Sequence, residues 1–131
     1  MAVIGVGGLG CPVVLYLAAA GVGHIGLFDG DTVEASNLHR QVLHTTKWVG
    51  RSKVSSAQHH LNKRNPHVAV TAVEQRIGID HLQLLEGYGL VIDCTDNSPT
   101  RYLLSDYCVL THKVAFFLLS PSSALPLTAR R

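Results

Sequence analysis

The sequence predicts an α/β fold in which helices flank a doubly wound, mostly parallel sheet. Two observations carry this prediction. Short apolar runs with strand character alternate with segments of helical period along the 131-residue chain. The stretch VIGVGGLGCP at residues 3–12 also passes from a β-branched run through glycines into a helical pattern, a strand–turn–helix arrangement. Such an arrangement is typical of Rossmann-like folds.

Each element follows from a local pattern. Five β-branched or apolar runs predict strands, at residues 2–6, 24–29, 68–73, 90–94 and 114–119. Helical periods and helix-start signals predict three longer helices, at residues 10–20, at residues 53–65 up to Pro66, and from Ser98 as N-cap with Pro99 behind it. A short helix is predicted over residues 80–86, and residues 30–52 are predicted to be loop with at most a short helical turn.

The predicted order of the strands brings two remote stretches together. In a doubly wound sheet the first and fourth strands are central neighbours, and ligands bind where the strand order reverses. The glycine turn after the first strand and DCTDN at residues 93–97 after the fourth are therefore expected side by side.

Composition bounds the class of protein. One domain fits the length, and 47% hydrophobic with 15% charged residues indicates a globular chain. A net charge of +2 gives no reason to expect a nucleic-acid partner. The three cysteines have no CxxC spacing, which favours a reducing, cytoplasmic compartment. Residues 1–23 are uncharged, but six glycines and Pro12 interrupt them, so we expect no membrane span or signal peptide.

The glycine turn predicts a phosphate-binding site. Gly5, Gly7 and Gly10 satisfy the G-x-G-x-x-G pattern, and Gly8 adds a fourth glycine. Glycines let the backbone approach a phosphate, and the helix that follows offers free N–H groups at its N-terminus. Asp29 ends the second strand, where a carboxylate can accept hydrogen bonds from a ribose. The alternative is a glycine-rich turn that holds no ligand.

The polar stretch DGDTVEASNLHRQ at residues 29–41 departs from a dehydrogenase pattern. Asn37 and Arg40 can reach a triphosphate, Arg40 through its planar fork. Lys53 begins the next predicted helix, where its ammonium can meet a phosphate. The alternative for each of these residues is a solvated surface position.

Carboxylates follow the fourth predicted strand. Asp93, Asp96 and Asn97 come at its carboxyl end, and Mg²⁺ takes hard oxygen ligands while keeping several waters. Asp96 is the candidate metal ligand. The alternative is that Asp96 and Asn97 merely cap the next helix, although Ser98 is the expected cap.

Three separated motifs give the chain a family resemblance. They are GVGGLGCPVVLYLAAAGVGHIGLFDGDTVEASNLHRQVLH, VGRSKV and VIDCTDNSPTRYLLSDYCV. In this order they resemble the adenylation domain of the ThiF/MoeB family of ubiquitin-activating-enzyme-like adenylyltransferases over residues 3–114, and most of all its eukaryotic molybdopterin-synthase adenylyltransferase and sulfurtransferase branch. Residues 1–114 are accordingly interpreted as a partial adenylation domain and residues 115–131 as a divergent C-terminal tail.

The resemblance implies a reaction. Family members use Mg-ATP to adenylate the C-terminal Gly-Gly carboxylate of a ubiquitin-like sulfur carrier, for molybdopterin biosynthesis or tRNA thiolation. It implies catalytic roles for Arg40, Lys53 and Asp96, with Asp96 at Mg²⁺. The implied nucleotide-binding positions are Gly5, Gly7, Gly8, Gly10, Asp29, Asp31, Ser36, Asn37, Leu38, His39, Arg40, Lys53, Asp96 and Asn97.

Departures from the family pattern imply a partial or inactive form. An N-terminal segment with an Arg given to the partner protomer of a homodimer, and the zinc-binding CxxC pairs, are expected to be missing. Two other readings remain open. One is an NAD(P)-dependent oxidoreductase, based on the glycine pattern alone. The other is a non-catalytic fragment that dimerises with the full-length enzyme.

Overall fold

A five-stranded parallel sheet organises the chain in the computed structural model, which describes residues 1–120. The strands are β1 Ala2–Ile4, β2 His24–Phe28, β3 Ala69–Val73, β4 Leu90–Asp93 and β5 Val114–Phe117. Their order across the sheet is β3-β2-β1-β4-β5. The predicted Rossmann-like α/β class is confirmed, and every strand pair is parallel.

Three α-helices connect the strands. They are α1 Gly10–Ala19, α2 Lys53–Arg64 and α3 Ser98–Leu110. The predicted short helix after β3 is a 3-10 segment, Ile79–Leu85, and the predicted loop 30–52 holds two 3-10 turns, Ala35–Asn37 and Thr46–Trp48. Within residues 1–120, no helix combines the length and the apolar character needed to span a membrane.

All five strands are shorter in the structure than predicted, β2, β3 and β4 by one residue and β1 and β5 by two. β1 stops at Ile4 because Gly5 turns the chain with a φ of 90°, a conformation that other residues rarely adopt. β5 stops at Phe117, short of residue 119. The tail predicted from residue 115 thus begins inside β5, and its residues 121–131 lie outside the described part.

Alternation along β1 divides the interior into two cores. Successive side chains of a strand point to opposite faces. Val3 packs in one core with Val14 of α1 and Leu61 of α2, whereas Ile4 packs in the other with Leu104 of α3. Helices thus cover both faces of the sheet, as the doubly wound prediction requires.

The predicted neighbourhood of the first and fourth strands is confirmed. Ala2 pairs with Val91 and Ile4 with Asp93, while β2 lies on the other side of β1. The chain therefore reverses its direction of winding between β1 and β4. This reversal opens a crevice at the carboxyl edge of the sheet.

A buried ion pair closes the β4 side of that crevice. Asp93 is fully buried, and its Oδ2 accepts a hydrogen bond from Nε of Arg101 at 3.1 Å. Thr95 donates to Oδ1 from both its N–H and its hydroxyl. Arg101 also donates from Nη2 to the carbonyls of Thr95 and Leu118, and so ties α3 to the loop after β4 and to the end of β5.

The start of α3 corrects the sequence-based assignment. Asn97, not Ser98, is the N-cap, and its side-chain oxygen accepts a hydrogen bond from the N–H of Thr100 at 3.2 Å. Ser98 is the first helical residue and Pro99 the second. The alternative that Asn97 caps α3 is therefore confirmed. An Asn side-chain oxygen can accept the N-cap hydrogen bond as well as a Ser hydroxyl can.

Arg101→Ala is expected to lower the free energy of unfolding by about 3–5 kcal/mol, because it leaves the buried Asp93 carboxylate without its counter-charge. Urea denaturation of both proteins at pH 7 measures this. The matched control is Arg64→Ala in the exposed last turn of α2, which should cost no more than about 0.5 kcal/mol. Equal effects of the two substitutions would contradict a structural role for the Asp93–Arg101 pair.

Candidate functional site

The crevice at the carboxyl edge of the sheet is a cleft of about 570 Å³. The glycine turn, the 29–41 segment, the N-terminus of α2 and the residues after β3 and β4 form its walls. Ten of the sequence-predicted site residues line it, namely Gly5, Gly7, Gly8, Asp29, Asp31, Asn37, Arg40, Lys53, Asp96 and Asn97. Tertiary structure thus brings together residues from five separate stretches of the chain.

Gly10 does not line the cleft. A Cβ at Gly10 would collide with the carbonyl oxygen of Gly5, so its hydrogen lets α1 begin directly against the end of β1. The helix starts at this residue, and the positive end of its dipole faces the turn that precedes it. Gly10 therefore shapes the turn without being part of its ligand-facing surface.

The carboxylate of Asp29 orders the glycine turn. Its Oδ2 accepts a hydrogen bond from the N–H of Val6 at 2.8 Å, and its Oδ1 accepts one from the N–H of Asp31 at 2.9 Å. The half-buried side chain also lines the cleft, so each oxygen keeps lone-pair capacity for a ligand hydroxyl. Asp29 consequently has both a structural role and the geometry expected of a ribose-binding residue.

Lys53 is a buried cation at the first position of α2. It is only 7% exposed, and its Nζ lies 3.6 Å from Oδ2 of Asp31. Asp31 also pairs with Arg76, which follows β3 at the same edge of the sheet. The hydrogen bond from Arg76, helped by the charge of Lys53, holds the pKa of the Asp31 carboxyl below its ordinary value. The carboxylate therefore stays ionised and fixes the two cations at the cleft.

Three polar residues of the 29–41 segment, each three positions from the next, line the cleft. Because a 3-10 turn has three residues per turn, Glu34, Asn37 and Arg40 fall on the same side of Ala35–Asn37 and its continuation. The amide of Asn37 donates to Glu34, and Nη2 of Arg40 donates to Oδ1 of Asn37 at 3.4 Å. Nη1 of Arg40 reaches the glycine turn, where a Cβ at Gly8 would stand 3.0 Å away.

The same spacing excludes three predicted residues from the cleft wall. Ser36 and His39 are exposed, Leu38 is half-buried, and none of them lines the cleft. They occupy the other sides of the 3-10 turn, so their side chains do not share the face of Asn37 and Arg40. Their predicted role in nucleotide binding stays a prediction that the cleft geometry does not support.

Gln41 is a site residue that sequence reasoning missed. Its side chain is only 3% exposed and lines the cleft, and its Oε1 has no hydrogen-bond partner within residues 1–120. A buried polar atom without a partner is costly, so Oε1 of Gln41 is an acceptor that a ligand or a water in the cleft would satisfy. The sequence signal was its position directly after Arg40 in the polar stretch.

His44 supports the glycine turn from behind. Its Nε2 lies 2.9 Å from the carbonyl oxygen of Val6, and its Nδ1 lies 2.9 Å from the hydroxyl of Ser56 in α2. Burial lowers the pKa of this imidazole, with the neighbouring Lys53 also contributing. The neutral ring donates to Val6 and accepts from Ser56, which couples α2 to the turn.

The residues after β4 divide into two roles. The Asp93 carboxylate accepts hydrogen bonds from Arg101 and Thr95 on both of its oxygens, so it is not a metal ligand. Asp96 is exposed, lines the cleft and has no hydrogen-bond partner within the described residues. Asn97 caps α3 and also lines the cleft. Asp96 is therefore the carboxylate that is free to meet a metal ion.

A sequence model of the ThiF family matches residues 1–118. The chain belongs to the ThiF family. It is 53% identical over 111 residues to Adenylyltransferase and sulfurtransferase UBA4 of Debaryomyces hansenii and 52% identical over 113 residues to Adenylyltransferase and sulfurtransferase MOCS3 of Drosophila sechellia. These alignments cover 84% and 85% of this ThiF-family chain. They cover 25% of each relative, so the chain spans about a quarter of their length.

Solved structures agree with this membership. The Escherichia coli tRNA N6-threonylcarbamoyladenosine dehydratase TcdA, in complex with ATP, superposes with a TM-score of 0.84 at 28% identity. That match covers 92% of the ThiF-family chain and 53% of TcdA. E. coli MccB, solved with ATP, has a TM-score of 0.83 at 29% identity over 88% of the chain and 35% of MccB. The resemblance found in the sequence is confirmed.

The residues of the ThiF-family cleft fit a magnesium nucleotide. Buried Lys53 and exposed Arg40 supply positive charge for phosphates, and Gln41 supplies an unpaired acceptor oxygen. Within residues 1–120 no cluster of three or more His, Cys, Asp or Glu side chains is arranged to hold a metal. A lone carboxylate such as Asp96 still fits Mg²⁺, because that ion is bound through one or two carboxylates together with substrate phosphates and waters.

The cysteines of the chain are interior residues. Cys11, Cys94 and Cys108 are buried and unpaired. Burial raises the pKa of the Cys11 thiol to about 11 and that of Cys94 to about 12, so both stay protonated at neutral pH. Because the thiolate is the nucleophile, neither residue is suited to sulfur transfer. This agrees with their expected role as small core residues.

We expect stability to decrease as pH falls from 7.5 to 5.5, because His44 has a lowered pKa when folded and an ordinary one near 6.5 when unfolded. In this window the unfolded chain binds the proton more readily. The contribution of neutral His44 to the free energy of unfolding is therefore fully present above pH 6.5, and it is lost as the pH falls below that value. Urea midpoints at the two pH values measure the decrease, and His44→Gln should reduce it. The exposed His67→Gln is the control, and an equal reduction in both variants would contradict this role of His44.

Proposed function

We propose that this chain binds Mg-ATP as the nucleotide-binding part of an adenylyltransferase. Its substrate would be the C-terminal Gly-Gly carboxylate of a ubiquitin-like sulfur carrier in molybdopterin biosynthesis or tRNA thiolation. One observation carries the proposal. Arg40 and buried Lys53 line the same cleft as Asp96, whose carboxylate accepts no hydrogen bond within the described residues. The names of the curated relatives and the ATP bound to TcdA and MccB support it.

Each group has a task in this proposal. Asp29 would accept hydrogen bonds from the ribose, and Arg40 and Lys53 would bind the phosphates, with Asn37 orienting Arg40. Oε1 of Gln41, which has no partner within residues 1–120, would accept a hydrogen bond from the substrate. Asp96 with Asn97 would hold the metal end of the nucleotide. Bound Mg²⁺ would neutralise charge on the phosphate oxygens.

The reaction needs alignment more than proton transfer. One carboxylate oxygen of the carrier forms a bond to the α-phosphorus, and the bond from that phosphorus to the bridging oxygen breaks. Pyrophosphate leaves with the electron pair. The carboxylate is already a nucleophile at neutral pH, so no general base is required. Fixed cations such as Arg40 and Lys53 lower the barrier by stabilising the charge that develops on the leaving group.

Family membership favours ATP over the alternative reading as an NAD(P)-dependent oxidoreductase. The ATP-bound relatives point the same way. We also propose a homodimer as the assembled state. A reducing, cytoplasmic location is proposed as well, and three free cysteines support it.

Asp96→Ala should weaken Mg-ATP binding by about tenfold or more, because it removes the carboxylate that completes the metal site. Isothermal titration calorimetry with ATP, in Mg²⁺ and in excess EDTA, measures the effect. The difference between the two conditions should vanish in the variant. Asp106→Ala, at an exposed carboxylate of α3 outside the cleft, is the matched control and should bind as the parent does.

Two results would contradict the nucleotide assignment. One is unchanged Mg-ATP affinity in Asp96→Ala. The other is tighter binding of NAD⁺ than of ATP by the parent chain, which would favour the oxidoreductase reading based on the glycine pattern.

Adenylation itself is measured by carrier-dependent exchange of pyrophosphate into ATP. The 131 residues span about a quarter of the relatives' length, so we expect them to bind ATP without exchanging pyrophosphate at the rate of a complete relative. The assay compares this chain with a full-length relative, at equal concentrations and with a Gly-Gly-ending carrier. An equal rate would contradict the expectation of a partial form and also the reading as a non-catalytic fragment.

A further inference from the structure

A second cavity, of about 460 Å³, lies outside the nucleotide cleft and shares no lining residue with it. The 3-10 turn Thr46–Trp48 and the second half of α2 form its walls. Its principal lining residues are Lys47, Trp48, His59, His60 and Lys63. The proposed adenylyltransferase chemistry uses none of them, so the cavity needs a separate explanation. We call it the basic–aromatic cavity.

The rings of this cavity are packed together. The ring centroids of Trp48 and His59 are 5.2 Å apart, and those of His59 and His60 are 5.3 Å apart at nearly a right angle. Nδ1 of His60 lies 2.8 Å from the carbonyl oxygen of Ser56, which anchors that ring to α2. The guanidinium of Arg51 lies over the Trp48 ring at 5.4 Å from its centroid. The rings of the cavity are therefore held in place by their contacts with one another, with the Ser56 carbonyl and with Arg51.

Charge around the basic–aromatic cavity has one sign. Residues 35–73 contain no Asp or Glu, yet they hold six of the eleven Lys and Arg residues, namely Arg40, Lys47, Arg51, Lys53, Lys63 and Arg64. Lys47, Arg51, His59 and Lys63 are exposed. No carboxylate lines this cavity in the part of the chain that the structure describes. The cations are thus available to an anion from solution.

We propose that the basic–aromatic cavity is a docking site for an acidic peptide segment of a partner protein. Carboxylates of Asp or Glu would meet the ammonium groups of Lys47 and Lys63, which both line the cavity. The threonine hydroxyls at the cavity edge supply further donors for a peptide. The cavity volume is in the range that holds a few side chains.

The observations favour a peptide over a nucleic acid. A base needs an open aromatic face for stacking, whereas Arg51 already covers the Trp48 ring. The net charge of the chain is only +2, and residues 35–73 hold six of its eleven Lys and Arg residues with no Asp or Glu among them. A local cluster of cations suits a short acidic segment better than it suits a long phosphate backbone.

Protonation of His59 gives docking a pH dependence. Desolvation lowers the pKa of His59, and the charges of Lys63 and His60 add to this. His59 shares this space with Trp48, His60, Lys47 and Lys63, and the guanidinium of Arg51 lies over the Trp48 ring. A bound carboxylate reverses the effect of these cations and favours protonated His59. Docking should therefore strengthen as pH falls from 7.5 to 5.5.

The test uses a fluorescein-labelled hexaglutamate peptide as the probe, with anisotropy titration of the whole chain at low salt and without nucleotide. Binding should weaken between 50 and 200 mM salt because exposed ion pairs are screened.

Lys63→Gln should weaken peptide binding by about threefold, the scale of one exposed ion pair, and Lys47→Gln by a similar factor. The matched control is Arg64→Gln, which removes the same charge from the neighbouring position of α2 outside the cavity, and it should leave affinity nearly unchanged.

Four outcomes would overturn the proposal. They are no binding of the peptide, equal losses in Lys63→Gln and Arg64→Gln, tighter binding of a single-stranded oligonucleotide than of the peptide, and concentration-dependent self-association that Lys63→Gln abolishes. The nucleotide proposal has its own readout, because Asp96→Ala should leave peptide affinity unchanged. Failure of either proposal is thereby distinguishable from failure of the other.

Discussion

The parallel pairing of β1 with β4 is the constraint on which the site depends. It places Ile4 beside Asp93 at the centre of the sheet, so the glycine turn and the loop after β4 leave the sheet at the same edge. Two local features hold the helices that follow β1 and β4 in place at that edge. The absence of a side chain at Gly10 lets α1 start against Gly5, and the buried Asp93–Arg101 pair ties α3 to the loop after β4.

The charges of the cleft are held by their neighbours before any ligand arrives. Asp31 lies between Lys53 and Arg76, and Asn37 orients Arg40 over the glycine turn. His44 joins Val6 to Ser56 and so couples α2 to the turn. Preorganised cations of this kind do not have to be reoriented during a reaction, which is the physical basis of electrostatic catalysis.

Two basic regions of the chain serve different purposes in this interpretation. Arg40 and Lys53 face a cleft that also contains carboxylates, as a metal–nucleotide site requires. Lys47 and Lys63 face a cavity without carboxylates in the described part of the chain, next to the tilted rings of Trp48 and His59. Both regions come from the same acid-free stretch, residues 35–73, and along α2 Lys53 lies at the N-terminus whereas Lys63 lies in the last turn.

The sequence by itself determined the α/β class, the strand order at the centre of the sheet and most of the cleft wall, because hydrophobic period, glycine spacing and polar residues at strand ends are local signals. Tertiary structure decided the rest. It showed that Asp93 is neutralised by Arg101, that Asn97 caps α3, and that Gln41 and Arg76 belong to the cleft. It also turned Ser36 and His39 away, because a 3-10 turn repeats every three residues. Side-chain partners across distant segments leave no local pattern, and so they emerge only when the chain is folded.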